Sequence, residues 1–233
     1  MPRLFFLFLL LILQSCSQSS DAFLQKGKEL MREGRTREAI DFINKAIEKN
    51  TNNADAFNLR GVAYYELKEF PNALLDFAQA IRLQPDSYRP YFNRALLYKD
   101  ENRLDSAFAD YNKSASLAPD TADIFLNRGQ VLVLMEKMPD AIADFETATK
   151  LDRDNKLAWY NLGNTYYRLK EYNKATLAFR ETVKLDAQNG KAFYGLGLAQ
   201  WNDGDKELGC TNLKQSLNLG YQDAASALAG FCK

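Results

Sequence analysis

Apolar residues along this chain fall in short helical stripes, with a few polar positions between one stripe and the next. The clearest pair of stripes lies between Lys156 and Asn189. Trp159, Leu162 and Tyr166 stand at i, i+3 and i+7, one face of a helix. Ala175, Phe179 and Val183 mark the face of a second helix, and Leu169 and Tyr172 flank the polar turn between the two. Gly163 and Ala175 are small enough to let the helices approach closely. The pattern predicts a helical hairpin. A hairpin of this size cannot bury both of its apolar faces, so it needs neighbours of the same kind.

The neighbours are present in the sequence. At a step of 34 residues from Gly163 stand Gly129, Ala95, Gly61 and Gly27 in one direction and Gly197 in the other. Ala175 is matched by Ala141, Ala107, Ala73 and Ala39, then by Gly209. Phe179 is matched by Phe145, Tyr111, Phe77 and Ile43, then by Leu213. The Trp159 column reads Phe125, Tyr91, Phe57 and Phe23, then Phe193. Four columns that keep their chemistry at one period predict six tandem repeats, at 20–53, 54–87, 88–121, 122–155, 156–189 and 190–221. Residues 222–233 hold one more short helix, with Ala225, Leu228 and Ala229 expected on its apolar side, capping the open end.

The order Trp159, Leu162, Gly163, Tyr166, Ala175, Phe179 resembles the signature of the tetratricopeptide repeat (TPR) family. The resemblance covers nearly all of the chain beyond residue 19. It implies an all-α fold: a right-handed α-solenoid of six helix–turn–helix repeats with a short C-terminal capping helix. The end repeats depart from the signature. Lys26 replaces the leucine in repeat one, and Gln200 and Gly209 replace the tyrosine and alanine in repeat six. Terminal repeats meet solvent or a cap on one side and are expected to be atypical.

In this family the concave face, built from the first helix of each repeat, takes a protein or peptide partner. Carried onto this chain, the resemblance implies a partner-binding groove of Tyr65, Phe92, Tyr160, Asn164, Tyr167, Tyr194 and Trp201. Aromatic rings give large contact area at low entropic cost, and an amide can bond a peptide backbone. The competing reading has the same rings packing between successive first helices. The family's lysine-based clamp for C-terminal carboxylates does not map, because no lysine stands at the fifth position of a first helix.

The first residues read differently. Met1-Pro2-Arg3 is a short positive start, and Leu4 to Leu13 is an apolar run too short to span a bilayer comfortably. Leu13-Gln14-Ser15-Cys16 resembles a bacterial lipobox, which implies a signal peptide over 1–15 and an acylated Cys16. Residues 16–19 would then be the lipidated cysteine and its tether, which reaches about 14 Å at most. Several acyl chains would anchor the chain firmly to a membrane. The expected location is the bacterial cell envelope, at the outer membrane. The competing reading is an ordinary signal peptide with an incidental cysteine.

Composition narrows the function. The chain has 30 Lys+Arg against 30 Asp+Glu, and loss of Arg3 with the leader leaves a net charge of −1. That balance carries no footprint for nucleic acid. Histidine is absent, which removes Ser-His-Asp and Cys-His chemistry and histidine zinc sites. No phosphate-binding glycine motif is present. The sequence gives no reason to expect a catalytic residue, a metal or a cofactor.

Two further features are structural candidates. Arg60, Arg94 and Arg128 recur at the repeat period, as do Asp76, Asp110 and Asp144, and both columns skip repeats one, five and six. Joint presence and absence predict an Arg–Asp ladder; the alternative is an anion-binding row. Cys210 and Cys232 lie eleven residues either side of Tyr221, so antiparallel helices meeting there would bring them level. In an oxidising envelope this predicts a disulfide; the alternative is two buried or frayed thiols. The expectation is a membrane-anchored adaptor that binds protein partners, with a self-associating structural envelope component as the alternative and an enzyme disfavoured.

Overall fold

The computed structural model describes residues 19–232; the leader and Cys16 lie outside them. The described residues form thirteen α-helices and no strand. They pair as α1 (Ser20–Arg32) with α2 (Thr36–Lys49), α3 (Ala54–Glu66) with α4 (Phe70–Leu83), and α5 (Tyr88–Asp100) with α6 (Leu104–Leu117). The series continues with α7 (Ala122–Leu134) and α8 (Met138–Leu151), α9 (Lys156–Arg168) and α10 (Tyr172–Leu185), and α11 (Gly190–Asn202) and α12 (Lys206–Asn218). A last helix, α13 (Asp223–Phe231), packs on α12. Each hairpin touches chiefly itself and its neighbours in sequence, which is the contact pattern of a solenoid.

Local chemistry sets the ends of these helices. Ser19, Asn53, Ser87, Thr121, Asn155 and Asn189 occupy the N-caps of the six first helices. The side chains of Ser19, Asn53, Asn155 and Asn189 accept hydrogen bonds from the backbone N–H of Ala22, Ala56, Ala158 and Ala192. Ser19, read as tether, is therefore the N-cap of α1. Each first helix ends on a left-handed residue: Gly34, Lys68, Asn102, Glu136, Lys170 and Gly204, with φ between 58° and 102°. In the first turn the N–H of Arg35 donates to Leu30 and that of Gly34 to Met31, the paired bonds that close a helix and turn the chain back.

The core runs lengthwise as a column of rings. Phe77, Tyr111, Phe145 and Phe179 are at most 1% exposed. Each faces the small residue of its partner helix. A methyl group added at Gly61, Gly129 or Gly163 would come within 2.6–2.8 Å of the facing phenylalanine ring. Burying such a ring contributes roughly 1.5–3 kcal/mol, so the column is a major source of stability.

The ladder is formed. Arg60 Nε and Nη2 fork onto Asp76 at 2.7 Å each, and Arg94 does the same to Asp110 at 2.7 and 2.8 Å. Arg128 reaches Asp144 at 2.8 and 2.6 Å. All three aspartates are buried. Two arginines also cross to the preceding repeat, Arg60 Nη1 to Asn44 Oδ1 at 2.8 Å and Arg128 Nη1 to Asn112 Oδ1 at 2.9 Å. These bonds satisfy the guanidinium internally, as a structural pair requires.

The last helix differs in phase from the sequence reading. Ala224 and Ala227 are buried, while Ala225 and Ala229 are exposed and Leu228 is half-buried. The turn at Gly220 (φ 85°) and the packing of α13 on α12 set this phase, and apolar spacing in so short a helix could not. Cys210 on α12 and Cys232 just past α13 form a disulfide with Cα atoms 5.6 Å apart.

Candidate functional site

Successive first helices touch along the solenoid, α1 with α3 and onward to α9 with α11. The second helices form no such row, which puts the first helices on the inner side of the curve. The seven groove residues inferred from sequence all stand on this row and are all half-buried.

Each ring leans on another ring. Phe92 meets Tyr111 edge-on with centroids 5.7 Å apart, and Tyr160 meets Phe179 at 5.9 Å. Tyr167 lies against Tyr172 at 5.4 Å, Tyr65 against Phe70 at 5.9 Å and Tyr194 against Tyr221 at 5.2 Å. These contacts fix ring orientation through packing. Two hydroxyls also tie neighbouring repeats together. Tyr65 donates to Asp100 Oδ2 at 2.5 Å, and Tyr167 accepts from Asn202 Nδ2 at 3.2 Å. Burial, with the Asp100 bond behind it, pushes the Tyr65 phenol up to about 12, and burial raises Tyr167 as well.

Trp201 departs from expectation. Phe231 of α13 stacks on it with centroids 4.5 Å apart. Its indole N–H is buried with no acceptor. The C-terminal helix thus covers the far end of the aromatic row, and Trp201 presents little free surface to a partner.

The open space on the inner face lies earlier in the chain. A cavity of about 510 Å³ sits between α5, α7 and α9. Lys99, Asp100, Gln130, Asn161, Asn164 and Arg168 line it, with Val133 and Phe145 as its apolar part. Of the inferred groove only Asn164 lies here. Lys99 Nζ donates to Asn127 Oδ1 at 3.1 Å and Gln130 Oε1 at 3.2 Å, and burial pulls its pKa below the ordinary lysine value. Asn161 Nδ2 is buried and lacks an acceptor. Two cations, one carboxylate, amides and an apolar base suit a peptide backbone with an adjacent apolar side chain. Among the described residues no cluster of three His, Cys, Asp or Glu side chains converges in a way that could hold a metal ion.

Sequence columns hid this cavity for a definite reason. Asn93, Asn127 and Asn161 occupy one column and read alike. In the structure Asn93 donates to Asn58 Oδ1, Asn127 donates to the carbonyl of Asp123, and only Asn161 has an unmet donor. The available signal was Lys99, a cation in a column otherwise largely apolar or aromatic.

The comparisons with known proteins agree with this architecture. Family models described as tetratricopeptide repeat match residues 24–88, 88–121 and 157–189, and one described as TPR repeat matches residues 132–170. The chain belongs to the tetratricopeptide-repeat proteins, a class of protein-interaction scaffold. Among solved structures it is similar to PilF of Pseudomonas aeruginosa, with a TM-score of 0.79 and 21% identity over 89% of this chain and 97% of that one. It is similar to PilW, described as a widely conserved type IV pilus biogenesis factor, at 0.75 and 20% over 90% and 98%. It is also similar to YrrB, described as a TPR protein with an unusual peptide-binding site, at 0.71 and 20% over 79% and 96%. At these identities the likeness is one of fold. A stretch of 73 residues is 34% identical to a UDP-N-acetylglucosamine–peptide N-acetylglucosaminyltransferase of Giardia intestinalis. That stretch is 31% of this chain and 5% of the relative's length.

Proposed function

We propose that this protein is a lipid-anchored, non-catalytic adaptor of the bacterial envelope. Cys16 holds it at a membrane, and the inner face of the solenoid holds a segment of a protein partner. The partner's main chain lies across the cavity at Lys99 and Asn164, and its side chains continue onto Tyr160, Tyr167 and Tyr194. The observation that carries this reading is the open cavity on that face, where amides and charges of both signs border an apolar base. Solenoids offer such extended inner surfaces because each repeat adds one strip of side chains. The anchor rests on the Leu13-Gln14-Ser15-Cys16 motif.

A photo-crosslinking amino acid placed at position 164 in intact cells tests the face. A discrete adduct is expected, and it should fade when Tyr167→Ala is added. A control at the exposed Leu75 on α4 should give none. An adduct from position 75 and none from 164 would place the partner elsewhere. Metabolic labelling with a fatty-acid analogue should mark the wild type and spare Cys16→Ser; equal labelling of both would refute the anchor.

A further inference from the structure

The Arg–Asp ladder stops at repeat five, and the place where it stops is open. Leu162 continues the arginine column and Ala178 the aspartate column. In repeats two and four the arginine fills the furrow between two second helices, bonded to Asp76 and Asn44 in one and to Asp144 and Asn112 in the other. Its guanidinium there lies 5.4 Å from the Phe57 ring centroid and 5.3 Å from that of Phe125. In repeat five nothing replaces it. The furrow between α8 and α10 is a cavity of about 900 Å³.

Its floor is apolar: Trp159, Leu162 and Ala178, with Leu177 55% exposed at the lip. Glu146, which continues the Asn44 and Asn112 column, is occupied, accepting the Tyr166 hydroxyl at 2.6 Å. The rim is basic. Lys174 and Lys184 are engaged by Glu171 at 2.6 Å and Glu181 at 3.0 Å. Lys150 and Arg153 line the same furrow from the α8 side, and neither meets a carboxylate within ion-pair distance among the described residues. With the other charges engaged, Lys150 and Arg153 stand against one free carboxylate, Asp154, and an apolar slot with this net positive edge selects its occupant by shape and by sign.

We propose that this furrow, on the outer side of the solenoid, is a second protein-docking site for a segment that carries a large apolar side chain flanked by carboxylates. The apolar group sits on Leu162 and Ala178, in the space a ladder arginine would take. The carboxylates face Lys150 and Arg153. The site is independent of the inner face, so one chain can hold two partners at once.

The probe is a short fluorescein-labelled peptide with a Leu-Phe pair between glutamates, followed by anisotropy on the purified protein. Saturable binding that weakens with salt is expected. Replacing the glutamates by lysine, or the Leu-Phe pair by alanine, should weaken it at least about tenfold. The double variant L162R/A178D rebuilds a ladder rung and fills the furrow. It should keep its helical circular dichroism and lose the peptide at least about tenfold. The surface variant K150E/R153E decides the matter if the first misfolds, since it should now prefer the lysine peptide. Tyr167→Ala should bind as wild type does. Equal affinity for glutamate and lysine peptides, unchanged binding by a folded L162R/A178D, or no binding of the glutamate peptide overturns the proposal. Loss with Tyr167→Ala alone would move the peptide to the inner face, sinking this site while leaving the adaptor reading intact.

Discussion

Gly209 stands where earlier repeats have alanine, and at that position a methyl group would strike main chain. A Cβ there would sit 2.9 Å from the Gly197 carbonyl oxygen and from the backbone nitrogen of Trp201. Main chain cannot swing aside as the tip of a side chain can. Gly209→Ala should therefore lower stability by about 2 kcal/mol, near the middle of the overpacking range, as read from urea unfolding. A loss under about 0.5 kcal/mol would mean that α11 and α12 separate easily. The sequence marks Gly209 only as a departure from the repeat pattern. The paired small columns already set it against Gly197; that the atoms it meets are main chain becomes visible only once the two helices are in contact.

The ladder is the feature that belongs to the element, because each rung joins one helix of a hairpin to the other. Asp110→Ala leaves the half-buried Arg94 without its carboxylate and should destabilise by about 3 kcal/mol. The double variant R94L/D110A copies the chemistry of repeat five, where Leu162 and Ala178 already stand. It should lose less than the single variant, because no buried charge is left unpaired. A double-mutant cycle in chemical denaturation measures the coupling, and simple additivity of the two single changes would deny the rung. The rungs were legible from sequence because both columns begin and end together. The phase of α13 was not: its apolar alanines fit two faces, and the contact with α12 chose Ala224 and Ala227.

Two expectations concern the whole molecule. The Cys210–Cys232 bond closes a separation of 22 residues around the Gly220 turn, which constrains the unfolded end by about 3 kcal/mol. Reduction should raise amide exchange in α13 and alter Trp201 emission as Phe231 leaves it. Protection in α1 to α8 should stay unchanged, because solenoid contacts pass only between neighbours. Uniform loss of protection along the chain would show a cooperativity this architecture does not provide. The second expectation is alkaline. Tyr65 is held up to about 12, and burial also raises Tyr111, Tyr166 and Tyr167. An unfolded tyrosine ionises near pH ~10 while the folded ones keep their protons, so the stability they lend is whole below that and drains away as pH climbs toward 12. Urea midpoints should be level up to about pH 10 and fall above it, less steeply in Tyr65→Phe; a level profile through pH ~11 would contradict these environments.

The chain alone determined the hairpins, their number and the residues that let them close, because those depend on contacts repeated at one short period. It also determined the ladder and the level of the two cysteines, which follow from the same register. Tertiary structure decided the rest. Whether a column is filled or empty depends on the summed volumes of side chains from three helices, so the furrow over Leu162 and Ala178 and the unmet amide of Asn161 emerge only in space. Phe231 covers Trp201 for a similar reason: a turn and a disulfide carry it there across 30 positions of chain, and no periodicity records that distance.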